Sequence, residues 1–222
     1  MANPMERGRD ERSDRGGERG LRLFVAIEVP EVVRRDVKRR LAGLRDRLPR
    51  ARWVDPDVLH LTLVFLGEVA GDRLAALAAA LAKAMAPLPP LPLRLAGGGT
   101  FPEGRAARVA WLGVEAPDEL FRLQQAAADA AVVTVGHQPE ERPYRAHVTL
   151  ARCPSPWPRA AGDKFRAAFA GTIGQPFTAE RAVLLESTLS PHGPRYRERA
   201  ALPLRGAEVT VAELAGGAGG AS

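Results

Sequence analysis

The sequence predicts an α+β fold with mainly antiparallel sheet, and three observations predict it. Strand-like and helix-like runs mix along the chain without the strict strand–helix alternation of a parallel sheet. Apolar residues in the helix-like runs recur at three and four positions. Two tetrapeptides, His60-Leu61-Thr62-Leu63 and His147-Val148-Thr149-Leu150, each occupy a β-rich run 87 residues apart, which hints at two similar lobes.

The elements follow in order. Leu21–Glu28 (LRLFVAIE) is a β-rich run without helical spacing. Pro30 opens a helix over Glu31–Leu48, with Val33, Val37, Leu41, Leu44 and Leu48 on one face. Leu59–Leu66 reads as a strand, and Gly71–Met85 as an alanine- and leucine-rich helix that stops before Pro87. Strands are expected at Leu91–Leu95 and Arg108–Val114, and a helix at Asp118–Ala131. The second half continues with a strand at Tyr144–Arg152, a short helix at Lys164–Ala170, and strands at Arg181–Leu189 and Arg199–Leu204. Residues 1–20 alternate charge with glycine and carry too little apolar surface to offset their ordering entropy, so they are expected to be a disordered tail. Residues 207–222, ending AGGAGGAS, read as a second flexible tail, which leaves 21–206 as one folded unit.

Composition narrows the function. No apolar run reaches the ~18–20 residues of a membrane span, and the N-terminus lacks the apolar stretch of a signal peptide. Cys153 is the only cysteine, so no internal disulfide forms and a reducing cytoplasm is the expected compartment. Zinc-type Cys/His spacing and a Gly-rich phosphate loop are both missing, and no metal or cofactor is expected. The chain carries a net +6; the first 20 residues balance five arginines with five acids and the last 16 hold only Glu208 and Glu213, which leaves +8 between them. A basic folded unit suits an anionic partner such as RNA. An arginine-rich composition, with 29 arginines to 3 lysines, accounts for the charge equally well.

The repeated tetrapeptide is the strongest signal. Side chains in a strand alternate faces, so His60 and Thr62 share one face and Leu61 and Leu63 the other. His147 and Thr149 repeat the arrangement. Facing each other across a cleft, the two strands would present two imidazoles and two hydroxyls. Imidazole titrates near neutrality, so one ring can take a proton while the other gives one. The hydroxyls can donate to phosphate oxygens and stabilise transition-state charge. A single H-x-T in a strand is usually structural; two copies, in a chain with four histidines, point to a paired site.

With these motifs in place, the sequence resembles the 2H phosphoesterase superfamily, and within it the RNA 2′,3′-cyclic phosphodiesterases, also called 2′-5′ RNA ligases. The resemblance is carried by RLFVAIEVP (22–30), RWVDPDVLHLTLVFLGEV (52–69), GGGTFPEGRAARVAWLGV (97–114), RPYRAHVTLARC (142–153) and LLESTLSPHGPRY (184–196). It implies a bilobal fold of two antiparallel-rich sheets with helices outside, related by a pseudo-two-fold axis through a central cleft. It implies metal-independent hydrolysis of 2′,3′-cyclic phosphate RNA ends, tRNA fragments among them, to 2′-phosphomonoesters, by a monomer. It implies His60 as general acid, His147 as general base, and Thr62 and Thr149 as phosphate-binding residues. Some relatives join RNA ends weakly and reversibly through a 2′-5′ linkage.

Two further positions match. Arg152, five residues after His147, would contact phosphate or base. Phe65, five residues after His60, matches a position whose ring stacks on a nucleobase, although its strand parity is opposite to that of His60. A bulge or the strand's end would have to bring it to the cleft, and core packing is the alternative. Ala146 stands where the family usually carries proline. Alternation turns Arg145 toward the side of His147 and Tyr144 away from it. His137 is expected in solvent, His192 in a turn, and Trp53, Trp111 and Cys153 in the interior. Two competing functions remain open at this level: an RNA-end binding protein without turnover, and hydrolysis of a small cyclic phosphate such as ADP-ribose 1″,2″-cyclic phosphate.

Overall fold

A computed structural model describes residues 20–103, 106–190 and 193–206. The tails read from the sequence, apart from Gly20, and the turn residue His192 lie outside these residues. Among the described residues, nine strands and four α-helices run as β1 (Leu21–Glu28), α1 (Glu31–Ala42), β2 (Arg52–Trp53), β3 (His60–Val69), α2 (Leu74–Met85), β4 (Leu91–Phe101), β5 (Ala107–Glu115), α3 (Glu119–Val135), β6 (His147–Trp157), α4 (Arg159–Ala168), β7 (Thr172–Ala179), β8 (Arg181–Ser190) and β9 (Gly193–Pro203). All pairings are antiparallel, in the order β7-β4-β5-β6-β3-β1-β8-β9, with β2 on β6. The two antiparallel arrays expected from the sequence are therefore present, joined into one sheet at the β3–β6 seam. One residue pair, Leu61 with Val148, makes that seam.

The strand order is symmetric outward from the seam: β3 corresponds to β6, β1 to β5, β8 to β4 and β9 to β7. One face of the sheet packs against the helices. Val33, Val37 and Leu41 of α1, Leu77, Leu81 and Met85 of α2, and Leu120, Leu123 and Ala127 of α3 bury their stripes in the same apolar cluster as Leu61, Leu63, Val148 and Leu150. Each large aliphatic side chain buried there contributes ~1.5–3 kcal/mol. On the opposite face a smaller cluster of Phe24, Ala26, Val183 and Leu185, with Tyr196 against it, forms beside His60.

Several bounds differ from the sequence reading, for physical reasons. The first helix ends at Ala42 and continues as a 3-10 turn at Arg45–Arg47, which still buries Leu44 and Leu48. Strand β4 runs through Ala96-Gly97-Gly98-Gly99, a stretch that looks like a loop. The glycines are needed for close approach: a Cβ on Gly99 would meet Trp111 Cζ2 at 2.1 Å, and one on Gly98 would meet Phe169 Cβ at 2.9 Å. Strand β7 was not expected, because Gly174 and Pro176 interrupt it; it lies at the edge of the sheet, where proline is tolerated.

Candidate active site

Strands β3 and β6 carry the two motifs with the same burial sequence. Over His60–Leu66 and over His147–Cys153 the order is half-buried, buried, half-buried, buried, buried, exposed, buried. The consecutive buried residues mark a bulge in each strand. Ala26 pairs with Thr62 and Val25 with Val64, so Leu63 is skipped; Trp111 pairs with Thr149 and Ala110 with Ala151, so Leu150 is skipped. An extra residue reverses the parity of every position beyond it. Phe65 and Arg152 therefore return to the face of His60, Thr62, His147 and Thr149. The bulge turns Phe65 out of the core packing that strand parity alone gives it, and the residue is 44% exposed.

Continuing the antiparallel register from Leu61 and Val148 sets His60 opposite Thr149 and Thr62 opposite His147. The two histidines are then diagonal neighbours, a relation that separates residues by ~7–8 Å in a regular ladder. Each imidazole uses Nδ1 in the same way. His60 Nδ1 lies 3.0 Å from the carbonyl of Val58, and His147 Nδ1 lies 2.7 Å from that of Arg145. A carbonyl only accepts, so Nδ1 carries the proton in both rings and Nε2 is left with its lone pair. Burial lowers both imidazole pKa values below their ordinary range. For His60 the bond to Val58 and the Glu28 carboxylate partly oppose that shift. For His147 the bond to Arg145 and the Glu140 carboxylate oppose it, while the Arg152 and Arg145 guanidinium groups add to it.

Aromatic rings wall each histidine. His60 lies 4.9 Å from Phe24 and 5.2 Å, edge to face, from Tyr196. His147 lies 5.2 Å from Phe101 and 6.0 Å from Trp111. Trp111 was expected in the interior and is only 7% exposed, yet it serves the site face: it backs His147 and carries the Arg145 guanidinium 4.8 Å from its ring. Arg145 also pairs with Glu103 at 3.2 Å. Trp53, by contrast, packs on Trp157 and against the main core, and Cys153 is buried, which raises its thiol pKa.

A cavity of about 750 Å³ opens on this face, its wall including Thr62, Phe65, His147, Thr149 and Arg152. His60 is not among the residues that line it; its half-buried ring packs beside Phe24 and Tyr196. Tyr144 packs against the main core and Phe121, as alternation expects, while also edging the cavity, and its hydroxyl donates to the Thr62 carbonyl at 3.0 Å. One expectation needs correcting here. His137 is half-buried on the same wall, not free in solvent, because the segment after α3 folds over the cavity. A second depression, about 350 Å³ beside Arg52 and Pro154, holds neither histidine. Among the described residues, no three His, Cys, Asp or Glu side chains are grouped to share a metal ion. None of the described helices is long and apolar enough to cross a membrane.

Two strands related by pseudo-symmetry, each carrying an imidazole and a hydroxyl two residues apart on one face, fit a two-histidine phosphoesterase class. Comparison with known proteins agrees. Residues 27–111 match the family described as LigT like Phosphoesterase. The RNA 2′,3′-cyclic phosphodiesterase of Methanothermobacter thermautotrophicus is 31% identical over 185 residues, covering 80% of this chain and 96% of the relative. The protein of the same name from Thermus thermophilus is 32% identical over 196 residues, covering 84% and 91%. Among solved structures, TT0787 of Thermus thermophilus superposes with a TM-score of 0.70 at 30% identity, covering 84% of this chain and 99% of that one. LigT of E. coli complexed with 3′-AMP gives 0.64 at 26%, covering 83% and 98%. The chain belongs to the LigT-like family of 2H phosphoesterases.

Proposed function

We propose that this chain hydrolyses the 2′,3′-cyclic phosphate at an RNA 3′ end to a 2′-phosphomonoester, as a monomer and without a metal. His147 Nε2 takes a proton from water as the water oxygen bonds to phosphorus. His60, protonated at Nε2, gives its proton to the 3′ oxygen as the P–O3′ bond breaks. Thr62 and Thr149 donate to the non-bridging oxygens, and Arg152 adds a guanidinium against the same charge. Phe65 offers its exposed ring to a base. A 5′-hydroxyl in place of water would join two ends through a 2′-5′ linkage by the same two proton transfers.

The observation that carries this reading is the matched tautomer. Both rings spend Nδ1–H on a backbone carbonyl, so both Nε2 atoms are available for proton transfer. The surroundings divide the labour. Glu28 favours the protonated form at His60, whereas at His147 Arg152 and Arg145 favour the neutral form ahead of the opposing Glu140 carboxylate. The substrate class is supported by the names of the relatives, which are RNA 2′,3′-cyclic phosphodiesterases. The test is product analysis of a cyclic-phosphate-ended RNA incubated with the protein in excess EDTA. A 2′-phosphate end is expected. A 3′-phosphate end would overturn the direction of bond cleavage, and loss of turnover in EDTA would overturn metal independence. Binding of the RNA with no product at any pH would favour an RNA-end binding protein.

A further inference from the structure

Arg22 is a cation that the proposed reaction does not use. It lies on β1 two residues before Phe24, on the site face, and its side chain is exposed. Its guanidinium carbon sits 5.1 Å from the centre of the Phe65 ring. Of the other guanidinium groups near the site, Arg181 pairs with Glu28 and Glu198, and Arg145 with Glu103. Arg22 has Glu68 opposite it in the ladder but makes no ion pair with it or with any other described residue. The lobe related by symmetry has no equivalent. Phe65 corresponds to Arg152, and the strand beside Arg152 offers Val109 and Ala107 where β1 offers Phe24 and Arg22.

Position along the strand says what this pair can reach. Thr62 stands opposite Ala26 and Phe65 opposite Phe24, so the bulge leaves two ladder steps between them, roughly 7 Å at ~3.3 Å per residue. Arg22 is anchored two residues further out, roughly 13 Å along β1 from Ala26, and its guanidinium rests against the Phe65 ring, away from the reacting phosphate. An exposed aromatic ring beside an unneutralised cation is the combination that holds single-stranded nucleic acid: the ring stacks a base and the cation meets the backbone.

We propose that Arg22 and Phe65 form an upstream subsite for single-stranded RNA. Arg22 meets the phosphodiester on the 5′ side of the terminal nucleotide, and Phe65 stacks a base next to it. The proposal rests on the reaction assigned above and narrows its substrate to an oligonucleotide end, as opposed to a cyclic mononucleotide or a small cyclic phosphate, neither of which has that phosphodiester.

The experiment measures kcat/KM for 2′,3′-cyclic AMP and for a cyclic-phosphate-ended tetranucleotide across a salt series, in the unaltered protein, Arg22→Gln and Arg22→Lys. The tetranucleotide is expected to be the better substrate. Arg22→Gln should shrink that advantage and lower the slope of log(kcat/KM) against log(salt) for the tetranucleotide by about 0.7, one single-strand phosphate contact. Arg22→Lys should restore the slope. Equal kcat/KM for the two substrates, or an unchanged ratio in Arg22→Gln, overturns the subsite. A parallel measurement of binding, with a labelled tetranucleotide ending in 2′-phosphate, reads Arg22 without turnover. If neither substrate is hydrolysed, the reaction itself is wrong, and the binding measurement still decides whether Arg22 holds RNA.

Discussion

The His60 half and the His147 half of the site share a backbone, an imidazole and a hydroxyl, and differ in what surrounds them. Strands β3 and β6 repeat one burial pattern, one bulge position and one imidazole-to-carbonyl bond. Around that frame, His60 has Phe24, Tyr196 and the Glu28 carboxylate, whereas His147 has Phe101, Trp111 and two arginines. The difference teaches how a symmetric frame could run an asymmetric reaction. Under the proposed mechanism, both proton transfers need the same reach to one phosphorus atom, which duplicated geometry supplies. One transfer needs a donor and the other an acceptor, which unlike charge around the two rings would supply. The proposed mechanism is broken most directly by testing whether the halves are equally necessary.

The largest expected effect comes from removing either imidazole. General acid–base groups contribute ~10²–10⁴-fold, so His60→Ala and His147→Ala should each lose activity in that range while the thermal transition stays close to that of the parent. Equal losses say that both transfers occur in the same step. A variant that keeps most of the rate would reduce the site to one histidine. Next come the hydroxyls. Hydrogen bonds to charged groups are worth ~1.5–3 kcal/mol, roughly tenfold to a hundredfold. Thr62→Val and Thr149→Val should each fall in that range, read as kcat/KM on a cyclic-phosphate substrate. A loss confined to one of them would show that the phosphate leans on a single half.

Much of this comparison could be read from the sequence. The two H-x-T-x stretches give the imidazoles, the hydroxyls and the face they share, because a two-residue period is local. The bulge is also written there, in a less obvious form: after each threonine the alternation fails, as Leu63-Val64 and Leu150-Ala151, at the same offset. What could not be read is what depends on distant strands. Trp111 looks like core until β4 brings Gly99 beneath it and β6 brings His147 beside it. Glu28 acts on His60 only because β1 pairs with β3. His137 was misplaced because the segment after α3 is neither strand nor free loop; it lines the cavity instead.

A smaller and purely structural effect is expected where the halves differ in wall thickness. Ala26 on β1 holds the position that Trp111 holds on β5. The larger side chain fits only because Gly99 lies under it. Gly99→Ala would drive a methyl group into the indole at 2.1–2.4 Å, against backbone that a strand holds in place. Overpacking of this kind costs typically ~1–3 kcal/mol. Denaturant unfolding should show the loss, and activity should fall with it, because a displaced Trp111 no longer backs His147.

The smallest expected effect is also the one that discriminates best between the halves. Burial lowers both imidazole pKa values, so the bell in kcat/KM for the free enzyme should lie on the acid side of the ordinary histidine range. The general acid must hold its proton where the general base has lost it, so the alkaline limb belongs to the acid and the acidic limb to the base. Glu28→Gln removes an anion that favours the His60 imidazolium; the His60 pKa falls, and the alkaline limb should move to lower pH. Arg145→Gln removes a cation that disfavours the His147 imidazolium; the His147 pKa rises, and the acidic limb should move to higher pH. Both variants then narrow the bell, from opposite sides. With the order of the two pKa values exchanged, Glu28→Gln would carry the acidic limb downward and Arg145→Gln the alkaline limb upward, and both would broaden it. Narrowing or broadening, in two variants that leave both histidines in place, therefore reads which histidine holds its proton to the higher pH, and the proposed roles expect that to be His60.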